Sequence, residues 1–136
     1  MTLNELCIIS HERAKAAGWW DQGTEKTPLE CHMLIVSEIA EASEAVRDRK
    51  PAFWLNGKDE HTDIEHECAS ATAAGIEKGC ADLPRSKPEG EATELADAVI
   101  RIADWFGRHG WDLEAVINAK LAYNQTRAYR HGDKAL

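Results

Sequence analysis

An all-α fold, a four-helix bundle with an irregular or partly helical insertion of about residues 52–87 between its second and third helices, is what the sequence predicts. Three observations carry this. Four segments space their apolar residues at the helical repeat, and no segment shows the strict alternation of a half-buried strand. Helix start and stop signals bracket those segments, and four glycines and two prolines gather in the central stretch from Ala52 to Gly90.

The first segment runs from about Leu3 to Ala17, with Leu3, Leu6, Cys7, Ser10, Ala14 and Ala17 on one face and Gly18 as its stop. The second runs from about Pro28 to Arg49. Thr27 is placed to cap it, Pro28 occupies the first helical position, Glu30 completes a capping box, and Pro51 ends it. The third spans about Glu89 to Arg108, and Gly110 separates it from the fourth, which starts at the cap-like Asp112 and reaches about Arg130. Gly57, Gly75, Gly79, Pro84, Pro88 and Gly90 punctuate the stretch from Ala52 to Gly90 that holds the insertion, although its middle, Asp63 to Lys78, can form a helix. There is no internal repeat and no low-complexity tract.

The 136 residues fit one domain, and 43% apolar with 29% charged residues is a globular composition. The longest apolar runs cover a few residues, against the roughly 20 that a membrane span needs. The N-terminal residues form neither a basic region nor an apolar signal core, so a cytoplasmic location is expected. With 24 acidic and 16 basic residues the net charge is −8, which disfavours a nucleic-acid polymer as partner and requires a local cation for any anionic ligand. None of Cys7, Cys31, Cys68 and Cys80 forms a Cys-x-x-Cys pair, so free thiols are expected.

Acids on core-bordering faces are the first chemical signal. On a helical wheel Cys31, Leu34, Ile35, Ile39, Ala42, Ala45 and Val46 share an arc of roughly 140°, with Glu38 in its middle and Glu41 at its edge. A carboxylate there costs several kcal/mol by general magnitude unless a positive partner meets it. The third segment repeats the pattern: Leu95, Ala98, Val99, Ile102, Trp105 and Phe106 share an arc bounded by Glu94, with Asp97 and Arg101 beside it. Acids at i and i+3 stand about 5–6 Å apart at Cβ and can converge on one or two ions. All-carboxylate ligation selects Mg²⁺ or Mn²⁺ over zinc, and two divalent ions would balance four carboxylates. Two metals ~4 Å apart are a common device for displacement at phosphorus. The competing reading is two solvated acidic faces.

The fourth segment adds Lys120, Asn124, Arg127 and His131, within about 60° on the wheel. Lys and Arg neutralise phosphate oxygens and Asn donates to them, although a helix C-terminus also favours cations through its dipole.

In their contexts, Leu34-Ile35-Val36-Ser37-Glu38-Ile39-Ala40-Glu41-Ala42 and Glu94-Leu95-Ala96-Asp97-Ala98-Val99-Ile100-Arg101, the two acid pairs resemble those of the MazG-like all-α nucleoside triphosphate pyrophosphohydrolases. The ending Lys120-x-x-x-Asn124-x-x-Arg127-x-x-Arg130-His131-Gly132 is similar to the tail of bacterial and phage-type members, and Gly18-Trp19-Trp20-Asp21 to their first interhelical link. The resemblance implies Mg²⁺ held by Glu38, Glu41, Glu94 and Asp97, and a water attacking the α-phosphorus to release pyrophosphate and a nucleoside monophosphate. It further implies Lys120, Asn124 and Arg127 on the outer phosphates and a homodimer or homotetramer. Glu38, in the most apolar surroundings, is a candidate to take the water's proton. Trp20 or Trp19 is placed to stack on a base and His11 to touch base or ribose; Trp105 reads as core.

The 52 residues between the acid pairs exceed what many family members use, so base and sugar choice do not transfer. His61, His66, Cys68 and Cys80 fall in this insertion at spacings that match no common zinc module. Two other readings stand beside the hydrolase: a non-catalytic acidic helical interaction module, and a di-iron carboxylate bundle. The latter needs two Glu-x-x-His pairs, and the sequence offers only Asp63-x-x-His66 as an approximation.

Overall fold

The computed structural model describes residues 1–59, 62–66 and 87–127, with 56–59 and 62–66 as backbone. Its elements are α1 (Leu3–Ala16), α2 (Pro28–Arg47), β1 (Trp54–Asp59), β2 (Thr62–His66), β3 (Lys87–Glu89), α3 (Glu91–His109) and α4 (Leu113–Gln125). The fold is all-α in class, with four helices and a small sheet among the described residues. Two compact units divide the chain: residues 1–25 with 102–127 among those described, and 26–101.

In the first unit, Thr2 and Glu5 form a capping box at the start of α1. Asn4 then ties α1 to the start of α4: its side-chain oxygen accepts from the Leu113 N–H at 3.0 Å, and its amide donates to Asp112 at 2.9 Å. Asp112 caps α4 by accepting from Ala115 N–H at 2.8 Å. Cys7, Ala103 and Leu113 form the core, flanked by Leu6, Phe106 and Ile117. Gly107 lets α3 pass close to α1, because a Cβ there would run into the Cys7 carbonyl oxygen. Trp105, predicted as core, is half-buried, its ring tilted against those of Trp20, at 6.2 Å, and His109, at 4.3 Å.

The second unit holds α2, the sheet and the first part of α3. The predicted Thr27–Glu30 capping box forms, with Pro28 in the first turn. Glu38 and Ala42 are the buried residues of α2, whereas Ile39 and Val46, placed on the core arc by the wheel, are about half exposed. Leu95 and Val99 of α3 are likewise exposed while Ala98 is buried. The inward faces of both helices are centred on small residues and acids rather than on the bulky aliphatics.

The insertion corrects one expectation. Asp63–His66, read as part of a possible helix, lie in β2, and residues 67–78 lie outside the described residues. The strands form an antiparallel sheet in the order β2-β1-β3, with Leu55 opposite both His66 and Pro88. Pro88 is tolerated because β3 is an edge strand. Gly90 turns the chain from β3 into α3 at φ +103°, where an added Cβ would collide with the carbonyl oxygens of Pro51 and Ala52. The Ala92 N–H donates to Ala52 O at 2.8 Å across the same corner, which fixes the entry of the helix carrying Glu94.

Candidate metal centre

α2 delivers Glu38 and Glu41 from adjacent turns, and α3 delivers Glu94 from its first turn. Among the described residues, these three glutamates each offer a carboxylate oxygen, all within 4.8 Å of one another. Glu38 is buried, Glu94 half-buried and Glu41 exposed, so the cluster opens to solvent on one side. Asp97, expected as a fourth ligand, lies outside this convergent trio. It sits on the next turn of α3 and feels the charges of Glu38 and Arg101.

Arg101 is the positive partner that the buried acid requires. Its Nε donates to a Glu38 carboxylate oxygen, and the Glu38 side chain is 8% exposed against 31% for Arg101. Lys87 of β3 pairs with Glu89 at 2.9 Å and adds positive potential that Glu94 and Asp97 both feel. Neither cation has a functional role on sequence grounds. Arg101 is legible in sequence beside Asp97 at the edge of the apolar arc, without a partner assigned to it, and Lys87 carries no signal.

Burial first, then the charges of Glu41, Asp97 and Glu38, push the Glu94 carboxyl above its ordinary pKa; burial first, then Glu38, push Asp97 up, with Arg101 and Lys87 opposing. A carboxyl whose folded pKa exceeds its unfolded one binds more protons in the native state. Its contribution to stability therefore falls as pH rises from about 4 through the raised values. A divalent cation bound there would offset the same charge. We expect melting temperatures in Mg²⁺ and in EDTA to coincide at the acidic end of this window and to separate progressively above it. Parallel curves would remove the cluster as a cation site.

The donor set fits a hard divalent ion: all-oxygen, anionic and partly solvated, with no imidazole or thiolate in the trio.

His11 and Trp20 lie in the first unit, both bound to one acid. His11 Nδ1 is 2.8 Å from Asp104 Oδ1, and Trp20 Nε1 donates to both Asp104 oxygens at 3.0 and 3.1 Å. The Arg108 guanidinium lies 4.1 Å from the centre of the Trp20 ring. One face of that indole thus already carries a cation. Asp104, which the sequence reading passed over, is what fixes both rings.

Lys120 and Asn124 are exposed on α4 at i and i+4, as predicted. The helix, however, ends at Gln125 rather than near Arg130. Thr126 forms the C-cap, its hydroxyl donating to Tyr123 O at 2.7 Å, and side-chain bonding of this kind competes with helix continuation. Arg127 stays close to that face through the turn bond from its N–H to Asn124 O at 3.2 Å. Arg130 and His131 lie outside the described residues, as do His61, Cys68 and Cys80. Cys7 is a free, buried thiol, and Cys31 is half-buried.

No family model, curated protein or solved structure matches this chain. Among the described residues, no helix is long and apolar enough to cross a membrane.

Proposed function

We propose that the chain is a Mg²⁺-dependent nucleoside triphosphate pyrophosphohydrolase of the MazG-like kind, with Mn²⁺ as an alternative ion, acting on a ribo-, deoxy- or modified nucleotide in control of the nucleotide pool. The observation that carries this reading is the convergence of Glu38, Glu41 and Glu94 from two helices, with one acid buried and answered by an arginine. Solvated acidic faces do not require burial of Glu38, and this favours a site over the interaction-module reading.

The bound cation would supply Lewis-acid polarisation of the phosphate chain and an acidified water. Glu38, Glu41 and Glu94 would hold it, with Asp97 contributing negative potential. Glu38 spends one oxygen on Arg101, which suits an ionised ligand and leaves the water's proton to Glu41 or Glu94. Lys120, Asn124 and Arg127 would grip the outer phosphates, and the ring surfaces of His11 and Trp20 would meet base and sugar. The test is a panel of canonical and modified nucleotides assayed for pyrophosphate release with Mg²⁺ and with EDTA. Metal-dependent pyrophosphate production from any of them supports the reading, and its absence across the panel refutes it.

Self-association belongs to the same proposal. Leu29, Met33, Val36, Ala40 and Ser43 recur at steps of 4, 3, 4 and 3 along α2, and Leu29, Met33 and Val36 are 75%, 62% and 50% exposed. A seam of this spacing, without a charge over four turns, is suited to packing against another helix. A homodimer or homotetramer is expected by light scattering at micromolar concentration. A 15.1 kDa species would show that the seam stays open.

A further inference from the structure

We propose that Arg101 is the positioning residue of the carboxylate cluster: it braces Glu38 so that this buried acid presents an oxygen to the cation shared with Glu41 and Glu94. The inference rests on reading the cluster as the divalent-ion site.

The geometry of α3 makes the brace possible. Glu94 and Arg101 are seven residues apart and Asp97 and Arg101 four apart, so all three project from one face of the helix. From there Arg101 reaches across to α2 and bonds Glu38 through Nε. The same guanidinium charge favours the ionised form of Asp97, so a single side chain is coupled to acids on both helices. Bonding through Nε fixes the plane of the guanidinium and with it the orientation of the carboxylate, which a lysine ammonium does not do. Burial makes the partner necessary: Glu38 is the trio's one buried member and has little water to orient or neutralise it.

A brace and a bare counter-charge predict opposite signs. A fixed positive charge beside the site repels a divalent cation, so if Arg101 were only a counter-charge, deleting it would tighten binding. If it positions a ligand, deleting it loosens binding, by about 10- to 100-fold for partners that orient ligands. The experiment is a titration of the full chain with Mn²⁺ alone, free Mn²⁺ being read by electron paramagnetic resonance, with folding checked by circular dichroism. Wild type, Arg101→Ala, Arg101→Lys, Glu38→Gln and the Arg101→Ala/Glu38→Gln double variant are compared. The proposal expects Arg101→Ala to bind 10- to 100-fold more weakly than wild type and Arg101→Lys to fall between them. It also expects Arg101→Ala to add little once Glu38→Gln is present, because the arginine acts through Glu38. Equal or tighter binding by Arg101→Ala overturns it, as does an undiminished effect in the Glu38→Gln background. Should Arg101→Ala fail to fold, Arg101→Lys decides: weakened binding supports the brace, and wild-type binding refutes it. Wild-type protein that binds no Mn²⁺ refutes the metal site itself, an outcome visible before any variant is made.

Discussion

Glu38→Gln and Asp97→Asn are each expected to lower pyrophosphate release by more than about 100-fold at saturating Mg²⁺ while leaving a folded helical protein, since the exchange removes charge with almost no change of shape. The two variants reach that loss by different routes. Glu38→Gln removes a member of the convergent trio and also strips Arg101 of its partner. Breaking a fully buried pair costs about 3–5 kcal/mol, but Arg101 keeps access to water, so a smaller loss of thermal stability is expected. Asp97→Asn removes an acid outside the trio whose proton affinity is raised mainly by burial, so its neutral form suits that environment. Its melting temperature in EDTA is therefore expected to match or exceed that of wild type, even as activity disappears. Rates near wild type from Glu38→Gln would mean that the cluster is not where the chemistry happens, and from Asp97→Asn that this acid takes no part in it.

Local signals made the helices legible. Thr27, Pro28 and Glu30 announce the start of α2 within four residues, and the structure forms that capping box. Glu38 stands out in the sequence because an acid in the middle of an apolar arc violates the pattern that surrounds it. The same wheel misjudged Ile39 and Val46, because periodicity ranks the faces of a helix by hydrophobicity and cannot tell which apolar face has a neighbour. The sheet was less legible, because none of its strands shows the alternation of apolar and polar residues that marks a half-buried strand. β1 and β2 pair within the window 54–66, but β1 pairs with β3 across more than twenty intervening residues, so no local window contains the whole sheet. The partner of Arg101, and Asp104 altogether, are not legible in sequence for a related reason. Each acts on a residue far away in the chain, Glu38 at 63 positions and His11 at 93, and a charged residue on a helix reads as solvated until its partner is known.

Lys120→Ala and Arg127→Ala are expected to reduce kcat/KM for a triphosphate by about 10- to 100-fold, the range of a lost charge-assisted hydrogen bond or two. Their thermal stability should scarcely change. Both side chains are exposed, and surface deletions of this type usually shift stability by only about ±0.5 kcal/mol. Lys120 carries a further structural contact, its ammonium lying 5.3 Å from the centre of the Tyr123 ring, but an exposed cation–π pair is worth about 0.5–1 kcal/mol at most. Loss of that contact is too small to produce a tenfold change in turnover. A phosphate grip held in ground and transition states alike should act mainly through KM, and it should weaken for a diphosphate, which lacks one of the groups being held. Arg127 lies beyond the end of α4 and is anchored by a single turn bond, whereas Lys120 projects from the helix itself. Lys120→Arg should therefore retain more activity than Arg127→Lys, because a helix-borne charge can be replaced in place while a guanidinium on a terminal turn owes its reach to its length and its forked donors. Equal losses on diphosphate and triphosphate, or a fall in melting temperature that tracks the loss of activity, would assign this stripe to the fold and place the phosphate contacts elsewhere.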